Sequence, residues 1–465
     1  MLTELRLQNF KAWRDTGPMR LAPLTVIFGT NSSGKSSLGH LLMALKQTAL
    51  LTDRKRSLHL GDDSSLIDLG TFEDCLYDHD LNQTLGFSLS WKSQEPLLLS
   101  DILNPGQTFC GDELTLEAEI AANKAQQPVT RQFSYTLHQG DEDVLKVRHG
   151  RHDGKPFLQC EPLRLMHAQG RNWGVESPEK FYRFSDKTLS RYQNAHFLTE
   201  FVLEAEQLLE NFYHLGPLRS PPKRVYPWSG DTPPDVGAEG ELTIPAILAA
   251  TQQGRKLNRG PKQKYQPFDA FIAGWLKNLG IIHAFKVEPI AKGRKEYEVL
   301  IQAHIGVPWV KLTDVGFGVS QILPALVQAF YAPPHSVLWM EQPEIHLHPR
   351  VQANLADAFI CAIHARENGE NRNTQLIIES HSEHFLNRLQ RRIAEGEVTP
   401  DEVAIYFVTR RRNGAHLEPL RLNEYGDIEN WPDDFFGDDM EDITQRALAA
   451  AKKRKEKKKA QGAGA

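Results

Sequence analysis

Eight residues near the start of the chain limit its fold more than any others. Gly29-Thr30-Asn31-Ser32-Ser33-Gly34-Lys35-Ser36 fits the pattern G-x-x-x-x-G-K-[ST], with Ser37 following. The pattern works mechanically only between a buried strand and a helix, and both flanks meet that condition. Leu24-Thr25-Val26-Ile27-Phe28 is an apolar run ending at Gly29, and Leu38, Leu41, Leu42 and Leu45 recur at helical spacing. In such a unit the glycines let the backbone wrap round a phosphate, and successive N–H groups at the helix N-terminus face the anion. Lys35 is placed to reach β- and γ-phosphates, and Ser36 to offer a hydroxyl to Mg2+.

The C-terminal part also alternates strand and helix. Ser336-Val337-Leu338-Trp339-Met340 and Gln375-Leu376-Ile377-Ile378 read as buried strands. Helices are expected near Gly318, over Val351 to Ala365 and over His384 to Ala394, and another strand over Val403 to Thr409. That order predicts a mostly parallel, helix-covered sheet. Glu341 ends an apolar strand, so its carboxylate falls on the ligand-binding edge, where it would hold Mg2+ directly or through water. His381 lies just past the next strand, within reach of a γ-phosphate. A Ser-His hydrolase is the alternative for Ser380-His381-Ser382, but no nucleophile elbow accompanies it.

Residues from about 81 to 165 differ in character. Leu85 to Trp91, Leu114 to Ile120 and Phe133 to Leu137 alternate like antiparallel strands between polar turns. A helix around Phe197 to Tyr213 follows, and then a Pro/Gly-rich ordered loop, Leu215 to Gly237. A helix from Phe268 to Leu279 and strands from Ala284 to Ile301 complete the middle. The partition expected is 1–80, 81–300, 301–422 and a C-terminal extension 423–465 with a disordered basic tail.

Composition sets further bounds. The chain has 465 residues, 40% hydrophobic and 24% charged, with a formal charge of −5, which gives no whole-molecule attraction to nucleic acid. No apolar run approaches the roughly 18 residues that span a bilayer. The first residues do not resemble a signal peptide, so a cytoplasmic protein without membrane contact is expected. Cys75, Cys110, Cys160 and Cys361 form no CxxC pair, which leaves a zinc ribbon without ligands.

Several segments taken in order resemble a known class. They are Leu7 to Lys11, Gly29 to Ser37, Leu215 to Arg219, Leu312 to Gln321, Glu341 to Pro349, and Ser380-His381-Ser382. Together they resemble ABC-type ATPases of the SMC, RecF and OLD (overcoming lysogenization defect) branch. The likeness is greatest to bacterial and archaeal proteins called AAA-family ATPases, many of them defence-associated. The resemblance implies a P-loop NTPase of α/β class: an ABC-type head with a mixed or parallel helix-covered sheet and a central antiparallel β-rich insertion. It implies ATP and Mg2+ as cofactors, with Lys35 and Ser36 as the Walker A lysine and metal-binding hydroxyl and Glu341 as the Walker B acid. Asp314 to Gln321 occupies the signature position, where Gly316, Gly318 and Ser320 would cap the nucleotide of a second copy. His346 and His348 fall in the dimer-contacting loop, and His381 matches the switch histidine.

Gln342 departs from the pattern, which usually has a glutamate as general base there. An amide can orient a water but cannot take its proton, so slow hydrolysis is expected, or Glu344 acting as base. The Q-loop glutamine has no evident match; Asp68 to Asp74 sits about where it should be. The resemblance implies a head-to-tail dimer or higher oligomer, switching a partner effector in bacterial defence. The alternatives are a RecF-like protein binding DNA through Arg388, Arg391, Arg392 and Arg410 to Arg412, or an OLD-like nuclease using the acids between Asp433 and Asp442.

Overall fold

The computed structural model describes residues 1–101, 104, 106–170, 173–261 and 263–432. Apart from shorter strands and turns, the chain begins with β1 (Leu2–Phe10), β2 (Leu24–Gly29) and helix α1 (Lys35–Leu50). Next come β3 (Leu85–Ser100), β4 (Thr108–Ala122), β5 (Pro128–Gln139), β6 (Glu142–His152), β7 (Lys155–Glu161), α2 (Leu198–Glu210) and β8 (Phe212–Leu215). Helices α3 (Thr243–Gln252) and α4 (Phe268–Asn278) precede the hairpin β9 (Ala284–Pro289) and β10 (Glu296–Gln302). The chain continues with α5 (Phe317–Tyr331), β11 (Val337–Glu341), α6 (Pro349–His364), β12 (Gln375–Glu379), α7 (Glu383–Ala394), β13 (Val403–Arg411) and β14 (Gly414–Leu420).

The central sheet has six strands in the order β8-β11-β12-β2-β13-β14. Neighbours are parallel except in the β13–β14 hairpin. Successive residues point to opposite faces. Val26, Phe28, Leu338, Met340, Leu376 and Ile378 enter one core with α3 to α7. Ile27, Val337, Trp339, Ile377 and Val408 enter the other, against Leu38, Leu41, Leu42 and Leu45 of α1 and the second sheet. Burial on both faces is why these strands read as unbroken apolar runs.

The second sheet is antiparallel and runs from Trp13–Asp15 through β1, β3, β4, β5 and β6 to β7. Its β1–β3 ladder sets Leu5 opposite Leu89 and Leu7 opposite Phe87. The strands between 85 and 161 therefore extend a sheet that the first residues begin, and hydrogen bonds cross the line expected at residue 80. The period-2 pattern identifies strands but does not name their partners. Helix α3, beyond the Pro/Gly-rich loop, was not anticipated. Among the described residues no helix is long and apolar enough to cross a membrane. The basic tail and the acids from Asp433 to Asp442 lie outside the described residues.

Candidate functional site

Three strands end side by side at one edge of the central sheet: β2 at Gly29, β12 at Glu379 and β11 at Glu341. In register, Ile27 stands beside Glu379 and Glu379 beside Glu341. The strand of the glycine-rich loop and the strand of Glu341 are thus separated by β12. The carboxyl edge of such a sheet is where ligands collect.

Local sequence shapes the loop. A Cβ on Gly29 would lie 2.4 Å from the Val408 carbonyl oxygen, and the residue has φ +151°, so glycine is required. Gly34 has φ +107° and forms the N-cap of α1, with no side chain bonded to the cap and no acid in the first turn. The helix N–H groups are left to face an external anion. The Trp13 indole donates to the Gly34 carbonyl at 3.0 Å and fixes the loop's far end. Thr30, Asn31 and Ser32 are exposed, while Ser36 and Ser37 are half-buried. Ser33 is buried and its hydroxyl oxygen has no partner. The buried Lys35 donates from Nζ to the carbonyls of Gly29 (3.0 Å) and Thr30 (2.9 Å). Burial pushes its pKa down, opposed by Glu379, Glu344 and Glu341.

Two carboxylates flank Ser36. Its Oγ donates to Glu379 Oε2 at 2.8 Å, and the Trp339 indole donates to Glu379 Oε1 at 2.7 Å. Burial, followed by the neighbouring Glu341, pushes the Glu379 carboxyl up to about 8. Glu341 Oε1 pairs with His214 Nε2 at 2.8 Å. Burial raises its pKa too, but the bonds to His214 and Ser36 hold it below the ordinary value. A hydroxyl and two carboxylates are hard oxygen donors, beside a helix N-terminus and an orphaned hydroxyl, so the residues present fit Mg2+ with a polyphosphate.

The loop after β11 is held from both sides. Gln342 has φ +44°, uncommon for a residue with a side chain, and its N–H donates to the Glu379 carbonyl at 2.9 Å. Glu344 is enclosed. Its Oε1 accepts from Ser380 Oγ (2.8 Å) and the His381 N–H (2.7 Å), and its Oε2 is buried without a partner. Burial pushes its pKa up. Glu344 thus braces the loop that carries His381. The His381 ring is exposed at the edge, and desolvation of its inner side plus the Lys35 cation hold its pKa down to about 4. His348 caps α6, accepting from the Arg350 N–H at 3.3 Å, and His346 is exposed with φ +61°.

The Asp314 to Gln321 segment leads into α5. Gly316 is its exposed N-cap with φ −59°, and a Cβ there would meet nothing within 4 Å. Nothing within one chain requires glycine at 316. Gly318 sits 3.6 Å from Leu347 of the loop after β11, measured to an added Cβ. Ser320 is only 8% exposed, and Asp314 Oδ1 accepts from Arg224 Nη2 at 3.0 Å. In the Asp68 to Asp74 stretch, Thr71 and Asp74 form a capping box on Phe72–Cys75.

Glu379, His214, Trp339 and Trp13 were not among the residues expected here. Glu379 ends an apolar strand just as Glu341 does, and the same rule would have found it. Trp13 and His214 carry no such signal, because their roles come from register between distant strands.

A parallel α/β sheet with this loop and acidic edge is the architecture of a P-loop nucleotide-binding domain. Residues 306–387, which include α5, Glu341 and His381, match the family described as "AAA domain, putative AbiEii toxin, Type IV TA system". Residues 398–445 match a protein family of unknown function, DUF3696. No curated protein matches the chain. Solved structures similar to it include an SMC head bound to the C-winged helix domain of ScpA, at 11% identity and TM-score 0.45, covering 91% of this chain and 98% of that one. The SMC head domain from Thermotoga maritima is 11% identical with TM-score 0.39, covering 90% and 99%. The Pyrococcus furiosus Smc head with an extended coiled coil, bound to the C-terminal domain of ScpA, is 10% identical with TM-score 0.43, covering 90% and 96%.

Proposed function

We propose that the protein is a nucleotide-gated switch. ATP binds at Gly29 to Ser37, and two copies close head to tail so that Asp314 to Gln321 of each covers the γ-phosphate held by the other. The observation that carries this reading is the uncapped N-terminus of α1, with Lys35, the orphaned Ser33 hydroxyl and Ser36 converging on one sheet edge. Ser36 and Glu341, with Glu379 beside them, would hold Mg2+, which when bound offsets charge on the β- and γ-phosphates.

Gln342 orients the attacking water without accepting its proton, which makes hydrolysis slow and the ATP-bound closed state long-lived. The brace role of Glu344 supports the amide, rather than Glu344, as the group facing that water. His381 senses the γ-phosphate. In this reading the protein acts in the cytoplasm, and closure is reported to an effector protein in defence against foreign DNA.

Lys35→Ala should weaken ATP binding at least roughly tenfold, the value of one or two charge-assisted hydrogen bonds. Gly318→Asp should spare ATP binding by the monomer and block ATP-dependent association in sedimentation. Unchanged affinity in the first variant, or association retained in the second, refutes the reading.

A second reading, ATP-dependent DNA binding, draws on the exposed Arg410, Arg411 and Arg412 at the β13–β14 turn. Arg388 and Arg392 are tied to Asp357, and Arg391 to Glu395. Salt-sensitive DNA binding lost on replacing Arg410 to Arg412 would support it.

A further inference from the structure

We infer that Arg219 is the cation that meets the γ-phosphate during hydrolysis, acting within the same chain and alongside Gln342. This rests on the nucleotide-binding reading above.

Arg219 lies just beyond β8, the strand next to β11, at the same edge of the sheet as Glu341. Its Nη2 donates to the Glu341 backbone carbonyl at 3.3 Å. Its Nε and Nη1 are buried and have no hydrogen-bond partner. A guanidinium brings five N–H donors in a fixed fork suited to planar oxyanions, and leaving them unmet in the interior is costly. Burial lowers its pKa to about 10, opposed by Glu341 and Glu344. The same two carboxylates act on Lys35. Lys35 and Arg219 are thus both within electrostatic reach of the same two acids.

The peptide that Arg219 grips is the one joining Glu341 to Gln342. That peptide is held a second time by the Gln342 N–H bonded to the Glu379 carbonyl. The guanidinium and the amide side chain are therefore registered to each other through a single peptide unit. Gln342 cannot remove a proton, so the chain must lower the barrier by stabilising charge on the phosphoryl oxygens. An orienting glutamine with an arginine supplied in cis is the solution that Gα-type GTPases use.

In the step assigned here, the water oxygen bonds to the γ-phosphorus. The bond from that phosphorus to the bridging oxygen breaks, and its electron pair leaves on ADP. The water's proton passes to a γ-phosphate oxygen, so no protein base is required. Arg219 balances the charge gathered on the oxygens in transit. The competing view is that Arg219 only braces the loop through Glu344, whose Oε2 is also unpartnered. A brace predicts lost stability without any change in γ-phosphate discrimination.

The test uses the full chain with ADP, alone and with aluminium fluoride, and single-turnover ATP hydrolysis. Arg219→Ala should keep its ADP affinity within about twofold and lose roughly 100-fold or more of the gain from aluminium fluoride, with hydrolysis falling about 1000-fold. Added guanidinium should restore part of the rate. Should Arg219→Ala misfold, Arg219→Lys keeps the charge without the fork and is expected to fall between the two. If the alanine or lysine variant shows the wild-type gain from aluminium fluoride, the inference is overturned. A wild type that binds ADP but gains nothing from aluminium fluoride also overturns it, while leaving nucleotide binding intact. A wild type that binds no nucleotide refutes the proposed function itself.

Discussion

Ser36 and Glu379, 343 positions apart in the chain, share a 2.8 Å hydrogen bond at the mouth of the loop. The other Glu379 oxygen is taken by Trp339, and Glu341 stands beside it in register. Burial and the neighbouring Glu341 raise the Glu379 carboxyl above its ordinary range, and this has a consequence for stability.

The folded carboxyl of Glu379 is raised to about 8 from an ordinary value of 4.5. A group raised on folding contributes fully below the unfolded value, and the contribution is lost as pH climbs through the folded one. Wild-type stability should therefore decline between about pH 4.5 and pH 8 relative to Glu379→Gln, which stays neutral throughout. Melting temperatures of nucleotide-free protein across that range check this. A constant difference between the two proteins would rule it out.

Helix α1 approaches the sheet through Gly39, where an added Cβ would lie 2.6–2.9 Å from the Trp339 indole. The indole is fully buried and has no room to retreat. Gly39→Ala should cost about 1–3 kcal/mol, the usual result of overpacking. In a Trp339→Phe background the same change should cost clearly less, because the smaller ring leaves space. Urea denaturation of the four proteins measures this coupling, and strictly additive losses would count against the contact.

Arg372 is entirely buried, bonded to Glu367 and the Ala332 carbonyl, and Glu367 also holds Arg255 at 2.7 Å. Removing one member of a buried ionic network strands the others. Arg372→Ala should destabilise the fold by about 3–5 kcal/mol. A loss under about 1 kcal/mol by denaturant titration would mean that solvent reaches this cluster.

Gln342 holds a left-handed backbone conformation of φ +44°. Gln342→Gly should relieve about 1 kcal/mol of strain and, on the proposal that its amide orients the attacking water, lower turnover. Gln342→Glu should raise turnover by adding a proton acceptor at that point. Both variants matching wild-type rates would remove position 342 from the chemistry.

The sequence made the loop and its two flanks legible because three independent requirements coincide in one short stretch, Leu24 to Leu45: a buried strand, a glycine-rich turn and an amphipathic helix. The C-terminal strands were equally legible, since burial on both faces writes an unbroken apolar run. Partners were not legible. Nothing in Glu4 to Leu7 says that its neighbour is Phe87 to Ser90, and nothing in His214 says that it faces Glu341. Arg219 stood inside a recognised stretch, but its orphaned nitrogens are a property of packing, which only coordinates reveal.

The antiparallel sheet carries a mechanical consequence. Trp13, on the short strand beside β1, grips the Gly34 carbonyl, while β1 is laced along its length to the sixteen-residue β3. The Trp13 indole joins the antiparallel sheet to the glycine-rich turn, in addition to the packing of α1 on the same sheet. A substitution that loosens Trp13 should therefore disturb the glycine-rich turn from the side of the antiparallel sheet.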